Sequence, residues 1–370
     1  MPFCIKRCNY CDFISNSYDA GLAASYVYAL TREIRKYDDC LNDEQRIVKS
    51  IYIGGGTPTV LSGVQLATIL DACRKLFVLD DDAEITIECN PGTVNFDKLN
   101  LIKNAGVNRI SIGVQAYQHN LLARLGRIHN WQDVVEAVRC SKEAGFDNIS
   151  LDLIFGIPGQ IMADWQESLE RVLDLSPQHI STYNLKIETG TSLHRDVSGG
   201  KISPCDEDLE LEMFWYTADF LKNQGFRHYE ISNYALLGRE ARHNMIYWLN
   251  REYLGLGPAA HSMLEGRRFS NEESVELYIN KINENLLPVC ATSKISTEDS
   301  MAETVFLGLR MIDGLDIHAF KQKYGCSVND VFAIQLKKLC GLGLIEIGKN
   351  YLRLSKKGLP LANEVFVEFI

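Results

Sequence analysis

Val48-Lys-Ser-Ile-Tyr-Ile53 runs straight into Gly54-Gly-Gly56-Thr57. A β-branched run that stops at a glycine cluster predicts a strand ending in a backbone-lined turn. The arrangement recurs downstream. Glu84-Ile-Thr-Ile-Glu88 leads to Cys89-Asn-Pro91, and Arg109-Ile-Ser-Ile-Gly113 to Val114-Gln115. Asn148-Ile-Ser-Leu-Asp-Leu-Ile154 leads to Gly156-Ile-Pro-Gly159, and His179-Ile-Ser-Thr-Tyr-Asn184 to Glu188-Thr-Gly190. Helical periodicity fills the intervals near 62–77, 95–105, 118–126 with 130–144, and 161–174, and a further helix precedes them near 19–37. Alternation of this kind predicts parallel strands joined by helical crossovers. Five strands are too few for a closed eight-fold barrel, so the expected fold is α/β, a partial (β/α) barrel. In such a sheet the carboxyl ends of the strands build the site. The polar outliers all fall there.

Composition narrows the function classes. The 370 residues carry 38 Lys and Arg against 48 Asp and Glu, a net charge of −10. That excess argues against a surface built mainly for nucleic acid or anionic lipid. No apolar run reaches membrane-spanning length, and no signal-peptide pattern opens the chain. Eight of the eleven cysteines are scattered through the sequence. They read as small buried hydrophobes in a reducing, cytoplasmic setting rather than as a disulfide framework.

The other three cysteines crowd together as Cys4-x3-Cys8-x2-Cys11, with Tyr10 before the last. Three thiolates on a tight loop can occupy three corners of a [4Fe–4S] cubane and leave the fourth iron open. Structural zinc is an alternative, although it asks for a fourth ligand and no histidine precedes His119. A redox pair or chance crowding are others.

At this point a resemblance enters. The cysteine spacing resembles the signature of the radical S-adenosylmethionine superfamily. There the open iron chelates S-adenosyl-L-methionine (AdoMet), and reductive cleavage gives a 5′-deoxyadenosyl radical. Ile53-Gly-Gly-Gly-Thr-Pro-Thr59, Glu88-Cys-Asn-Pro91, Ser111-Ile-Gly-Val-Gln115, Leu125-Gly-Arg127 and Asp152-Leu-Ile-Phe-Gly-Ile-Pro-Gly159 are similar, in order, to the oxygen-independent coproporphyrinogen III oxidase family. Cys11-Asp-Phe13, His243-Asn-x-x-Tyr-Trp248 and Tyr253-Leu-Gly-Leu-Gly-x-x-Ala-His-Ser262 resemble its haem-chaperone branch. The decarboxylating branch has a further cysteine where Phe13 stands here.

The resemblance implies Cys4, Cys8 and Cys11 as cluster ligands. It implies Tyr10, Gly55, Gly56, Thr57, Glu88, Gln115, Arg127 and Asp152 as AdoMet-site residues. His243, Tyr247 and Trp248 become haem contacts, with His243 the favoured iron ligand, and His261 is expected to reach the barrel mouth. Bare readings stand beside these: a glycine run is often only a turn, Arg127 could be a helix-end cation, and the aromatic hexapeptide could be core. Asp152 is the least comfortable of the set as a purely structural residue, because an unpaired buried carboxylate is costly. No residue is assigned a catalytic role.

The expected division is 1–190 for the radical-SAM barrel, 191–295 for a family-specific extension closing the barrel mouth, and 296–370 for a winged-helix-like C-terminal domain. The last contains helices near 297–310, 316–324 and 327–340 and strands at 344–347 and 351–354. Its expected recognition helix holds only Lys337 and Lys338 as bases, so DNA binding is not expected. Met1-Pro-Phe-Cys4 starts where the family has a strand leading into the cysteine loop. The first barrel strand is therefore expected to be missing, leaving 48–53 as an uncovered edge.

The functional expectation is a haem chaperone that delivers haem to respiratory haemoproteins, which admits peripheral membrane contact and requires an electron donor that no motif names. The competing expectation is anaerobic conversion of coproporphyrinogen III to protoporphyrinogen IX. A third is a cluster without radical chemistry.

Overall fold

The computed structural model describes residues 1–370. Two compact units emerge, discontinuous along the chain. The first comprises residues 1–217, 255–261 and 270–291; the second comprises 218–254, 262–269 and 292–370.

In the first unit, five parallel strands lie side by side in chain order: β1 Ile47–Ile53, β2 Val78–Cys89, β3 Arg109–Gln115, β4 Ile149–Phe155 and β5 His179–Asn184. Ile53 pairs with Ile87, Glu88 with Ser111, Gly113 with Asp152, and Asp152 with Ser181. The register therefore aligns the polar outliers of the sequence at one end of the array. Side-chain alternation sorts the two faces. Ile110, Ile112, Val114, Leu151, Leu153 and Ile180 are fully buried on one face. The other face is polar, with Ser111, Ser150, Asp152, His179 and Ser181. β1 lies at the edge of the array, and Ile47 is 54% exposed.

Helices α1 Ala20–Lys36, α2 Gly63–Leu76, α3 Phe96–Asn104, α4 His119–Leu125, α5 Trp131–Glu143 and α6 Met162–Asp174 flank the strands. Their starts are fixed by local chemistry. The Asp19 carboxylate accepts from Leu22 N, and Ser62–Gln65 and Asn130–Asp133 form reciprocal capping boxes. One carboxylate of α1 lies inside the unit: Glu33 is fully buried and accepts from Tyr278 Oη at 2.5 Å, Asn271 Nδ2 at 2.6 Å and Gly257 N at 2.8 Å.

The second unit has its own core, with Val305, Leu309, Phe320, Leu336, Leu339, Leu352 and Val365 all nearly inaccessible. Around it stand helices Thr297–Gly308, Ile317–Tyr324 and Ala333–Gly341 and a three-stranded antiparallel sheet, Leu315–Asp316, Tyr351–Leu354 and Ile345–Ile347. No helix of the chain is long and apolar enough to cross a membrane.

The elements differ from expectation in places. β2 begins at Val78 rather than Glu84 because Val78 and Leu79 pair with Ile47 and Val48 before a register shift. The acidic Asp80-Asp-Asp82 run masks that start. The helix expected over 327–340 breaks at Phe332 (φ −115°, ψ 29°) into Val328–Val331 and Ala333–Gly341. The expected C-terminal hairpin gains Leu315–Asp316 as a third strand. Helices Ser192–Ser198, Arg242–Trp248 and Val275–Asn283 were not anticipated. The first two are only seven residues long, too short for periodicity to show.

Candidate functional site

The cysteine loop is held against the strand ends by contacts distant in sequence. Asn9 N donates to Leu125 O at 2.9 Å and Asn9 Nδ2 to Arg124 O at 3.0 Å. Asn9 thus satisfies carbonyls that the end of α4 leaves without helical partners. Gly126 closes that helix with φ 76°, and a Cβ there would stand 2.8 Å from the Asn9 side chain. On the other side, Thr57 N donates to Phe3 O at 2.7 Å, and a Cβ on Gly56 would lie 2.6 Å from the same oxygen. Both glycines are required by close approach of the cysteine loop.

A run of hydrogen bonds then links two of the three thiols. Arg127 Nη1 donates to Cys8 Sγ at 3.5 Å. Its Nη2 donates to Asn90 Oδ1 at 2.7 Å and to Gly113 O at 2.6 Å. Asn90 Nδ2 passes the connection to Thr57 Oγ1 at 2.8 Å, and Thr57 donates to Cys4 Sγ at 3.5 Å. Arg127 Nε is buried with no partner. Burial pushes the Cys11 thiol up, and its neighbours Cys8 and Cys4 push it further. Burial also raises the Tyr10 phenol, which sits in the field of Arg127, Cys8, Cys11 and Asp152.

Carboxylates complete the rim. Glu88 accepts from Tyr52 Oη at 2.7 Å and Gly55 N at 3.1 Å; burial lifts it to about 7 against these donors. Asp152 accepts from Ser111 Oγ at 2.8 Å and from Ser150 Oγ at 3.1 Å. Burial raises it, while the serine hydroxyls and Arg109 pull the other way. Gln115 has φ 70° at a register shift between β3 and β4, and a Cβ on Gly113 would stand 2.8 Å from its Nε2. A non-glycine residue held in that region at a strand end is strained, and a bulge there re-aims the side chain.

These residues suit a cluster and a nucleotide better than a single metal ion. No three His, Cys, Asp or Glu side chains of the chain are grouped to hold one ion. In a cubane each thiolate instead binds its own iron, and one iron stays open when only three cysteines are supplied. The chain offers three free thiols on one loop, a guanidinium beside them, and an orphaned donor at Arg127 Nε. A shallow cleft opens alongside, lined by Ile5, Cys8, Thr57, Asn90, Arg127 and Ile128 among others.

Of the residues expected at this site, Cys4, Cys8, Cys11, Tyr10, Gly55, Gly56, Thr57, Glu88, Gln115, Arg127 and Asp152 lie in this one neighbourhood. His261 is exposed at the start of strand His261–Leu264 and takes no part in these contacts. In the second unit, His243 Nε2 meets Tyr247 Oη at 3.2 Å, and Tyr247 packs edge-on against Tyr253 at 4.7 Å. Trp248 points elsewhere, with the Arg310 guanidinium 4.2 Å from its ring. Residues 243–248 of helix Arg242–Trp248 are half-buried, none of them fully enclosed. Asn9 and Asn90 were missed as individual residues. The only sequence signals were the glycine at 126 and the proline after Asn90.

The strand array and the three-thiol rim define a radical S-adenosylmethionine protein. The pattern of the Radical SAM superfamily matches residues 1–172, and that of the HemN C-terminal domain matches 295–361. Heme chaperone HemW of Bacillus subtilis is 37% identical across all of this chain and 97% of its own length. The Escherichia coli protein of the same name is 38% identical over 70% of this chain and 68% of its own length. The zebrafish mitochondrial radical S-adenosyl methionine domain-containing protein 1 is 31% identical over 98% of this chain and 84% of its own length. Among solved structures, coproporphyrinogen III oxidase (HemN) of E. coli superposes with a TM-score of 0.87 at 24% identity, covering 100% of this chain and 88% of that one. That last likeness speaks to fold alone. The chain belongs to the radical SAM superfamily and, within it, to the family of the HemW heme chaperones.

Proposed function

We propose that this protein is a haem chaperone that binds haem and hands it to respiratory haemoproteins, with a [4Fe–4S] cluster and AdoMet at the strand-end site. Cys4, Cys8 and Cys11 would ligate three irons. When bound, the cluster supplies an electron and an open iron for the amino-acid end of AdoMet. The chain's own residues prepare that place. Arg127 offsets the negative charge gathered at the thiolates. Thr57 and Asn90 orient Cys4, and the Gly55–Glu88 contact presents a carboxylate to hydroxyl or ammonium groups. Asp152 is held in place by serine hydroxyls from its own strand and a neighbouring one. Tyr10 and Gln115 would form the walls around the nucleotide.

Haem binding is assigned to the second unit. His243 would serve as iron ligand and Tyr247 would offer an aromatic face to the porphyrin, whereas Trp248 would have to leave Arg310 to join them. The observation that supports chaperone over oxidase is the full-length similarity to proteins named for haem delivery, in a chain with Phe13 where the decarboxylating branch has a cysteine.

The deciding experiment is anaerobic incubation of reconstituted protein with coproporphyrinogen III, AdoMet and reductant, beside a haem titration followed in the Soret band. Haem binding that weakens in His243→Ala, with no protoporphyrinogen formed, is the expected result. Protoporphyrinogen formation overturns the assignment in favour of the oxidase.

A further inference from the structure

The net charge of −10 conceals an asymmetry. From Ile317 to the last residue the chain carries eight Lys and Arg against four Asp and Glu, a local excess of +4. This stretch lies wholly in the second unit. Its helix Ala333–Gly341 buries Leu336 and Leu339 and turns Ile334, Lys337, Lys338 and Gly341 to solvent, the i, i+3, i+4, i+7 face. Ile334 is 82% exposed, and Leu342, which continues the helical backbone, is 50% exposed.

Lysines frame the two apolar side chains. Lys357 Nζ donates to Leu342 O at 3.0 Å, which sets a cation at the helix end beside Leu342. Lys338 is neutralised by Glu368 at 2.7 Å, whereas Lys337 forms no ion pair. Nothing in the unit covers Ile334. A nucleic acid would have to accept an isoleucine at the centre of its contact face, with no arginine on the helix to reach a base edge or a phosphate fork. An anionic bilayer suits both features. Its surface charge attracts the lysines, and its interfacial layer takes up short apolar side chains while lysine stems reach back to the headgroups.

We propose that the exposed face of helix Ala333–Gly341, with Leu342 and Lys357, is a docking surface for anionic phospholipid. Two apolar side chains and a few lysines give reversible association, not insertion. The surface shares no residue with the cysteine-loop site or with the segment assigned to haem, so its fate under test does not depend on theirs.

The full chain is co-sedimented with vesicles of phosphatidylcholine alone and with an equimolar mixture of phosphatidylcholine and phosphatidylglycerol. Binding is expected only to the mixed vesicles and is expected to weaken with added salt. Lys337→Gln weakens it about fivefold, and Ile334→Ser about tenfold. Both positions are exposed, so thermal unfolding of the variants matches the parent and the haem titration is unchanged. Equal binding to the two vesicle types, binding to neither, or parent-like binding by both variants overturns the proposal. Retention of a DNA duplex with flat vesicle arms overturns it too and reassigns the face to nucleic acid.

Discussion

Glu33 offers the sharpest test of the energetics. Burial raises its carboxyl from 4.5 to about 7, although Tyr278, Gly257 and Asn271 all donate to it and pull the other way. Unfolded, the group titrates near the ordinary glutamate value. Between roughly pH 4.5 and 7 the folded protein therefore holds a proton that the unfolded chain has released. Stability from this group is full below the unfolded value, falls as pH rises through that window, and levels off above it. The total is about 3 kcal/mol, of which about 2 kcal/mol lies above pH 5.5. Replacing Glu33 with Gln removes the titration. The introduced amide can still accept from Tyr278 and Gly257, and its NH2 can donate to Asn271 Oδ1, which has no partner, once that side chain turns over. Urea unfolding of parent and Glu33→Gln is measured from pH 5.5 to 8. The parent should lose about 2 kcal/mol relative to the variant across that range. Glu33→Ala, which strands three buried donors, should cost about 4 kcal/mol at pH 6. Glu88 and Asp152 also have raised values, but they are present in both proteins and drop out of the difference. A parent–variant difference that stays constant with pH refutes the reasoning.

Gly126→Ala should destabilise the first unit by about 2 kcal/mol, from positive φ and collision with Asn9. It should also lower iron and sulfide per chain after reconstitution, measured by elemental and colorimetric analysis. Arg127→Lys keeps the charge but loses the fork that spans Cys8 on one side and Asn90 with Gly113 on the other. AdoMet affinity measured by calorimetry should fall about tenfold, which is the loss of one charge-assisted contact. Phe320→Ala should cost about 4 kcal/mol in the second unit, read from its denaturation midpoint, because the ring is 1% exposed.

Much of the first unit was legible because each strand announces its end with glycine, proline or a lone polar residue. The parallel register then aligns those ends. Asp152 was readable for the same reason: a carboxylate inside Leu-Asp-Leu-Ile needs partners. What those partners are was not readable. Ser111 and Ser150 look like ordinary strand residues until alternation and register turn them toward one oxygen pair. Asn9, Asn90 and Glu33 were invisible for a different reason. Their partners lie between 33 and 245 residues away, and no local pattern carries information at that range. The break at Phe332 was lost because the helix-favouring run Ala333-Ile-Gln-Leu-Lys-Lys338 follows it directly and only packing of Phe332 against Phe369 at 5.4 Å marks the place.

The array of β1 to β5 divides its duties between its two sides. Oily residues on the helix-facing side secure the architecture, and hydroxyls and carboxylates on the other are spared that burden. Substitutions among the latter can retune what the cup recognises while the scaffold stands. A swap that keeps the polar face's hydrogen bonds paired therefore leaves the apolar packing behind it undisturbed.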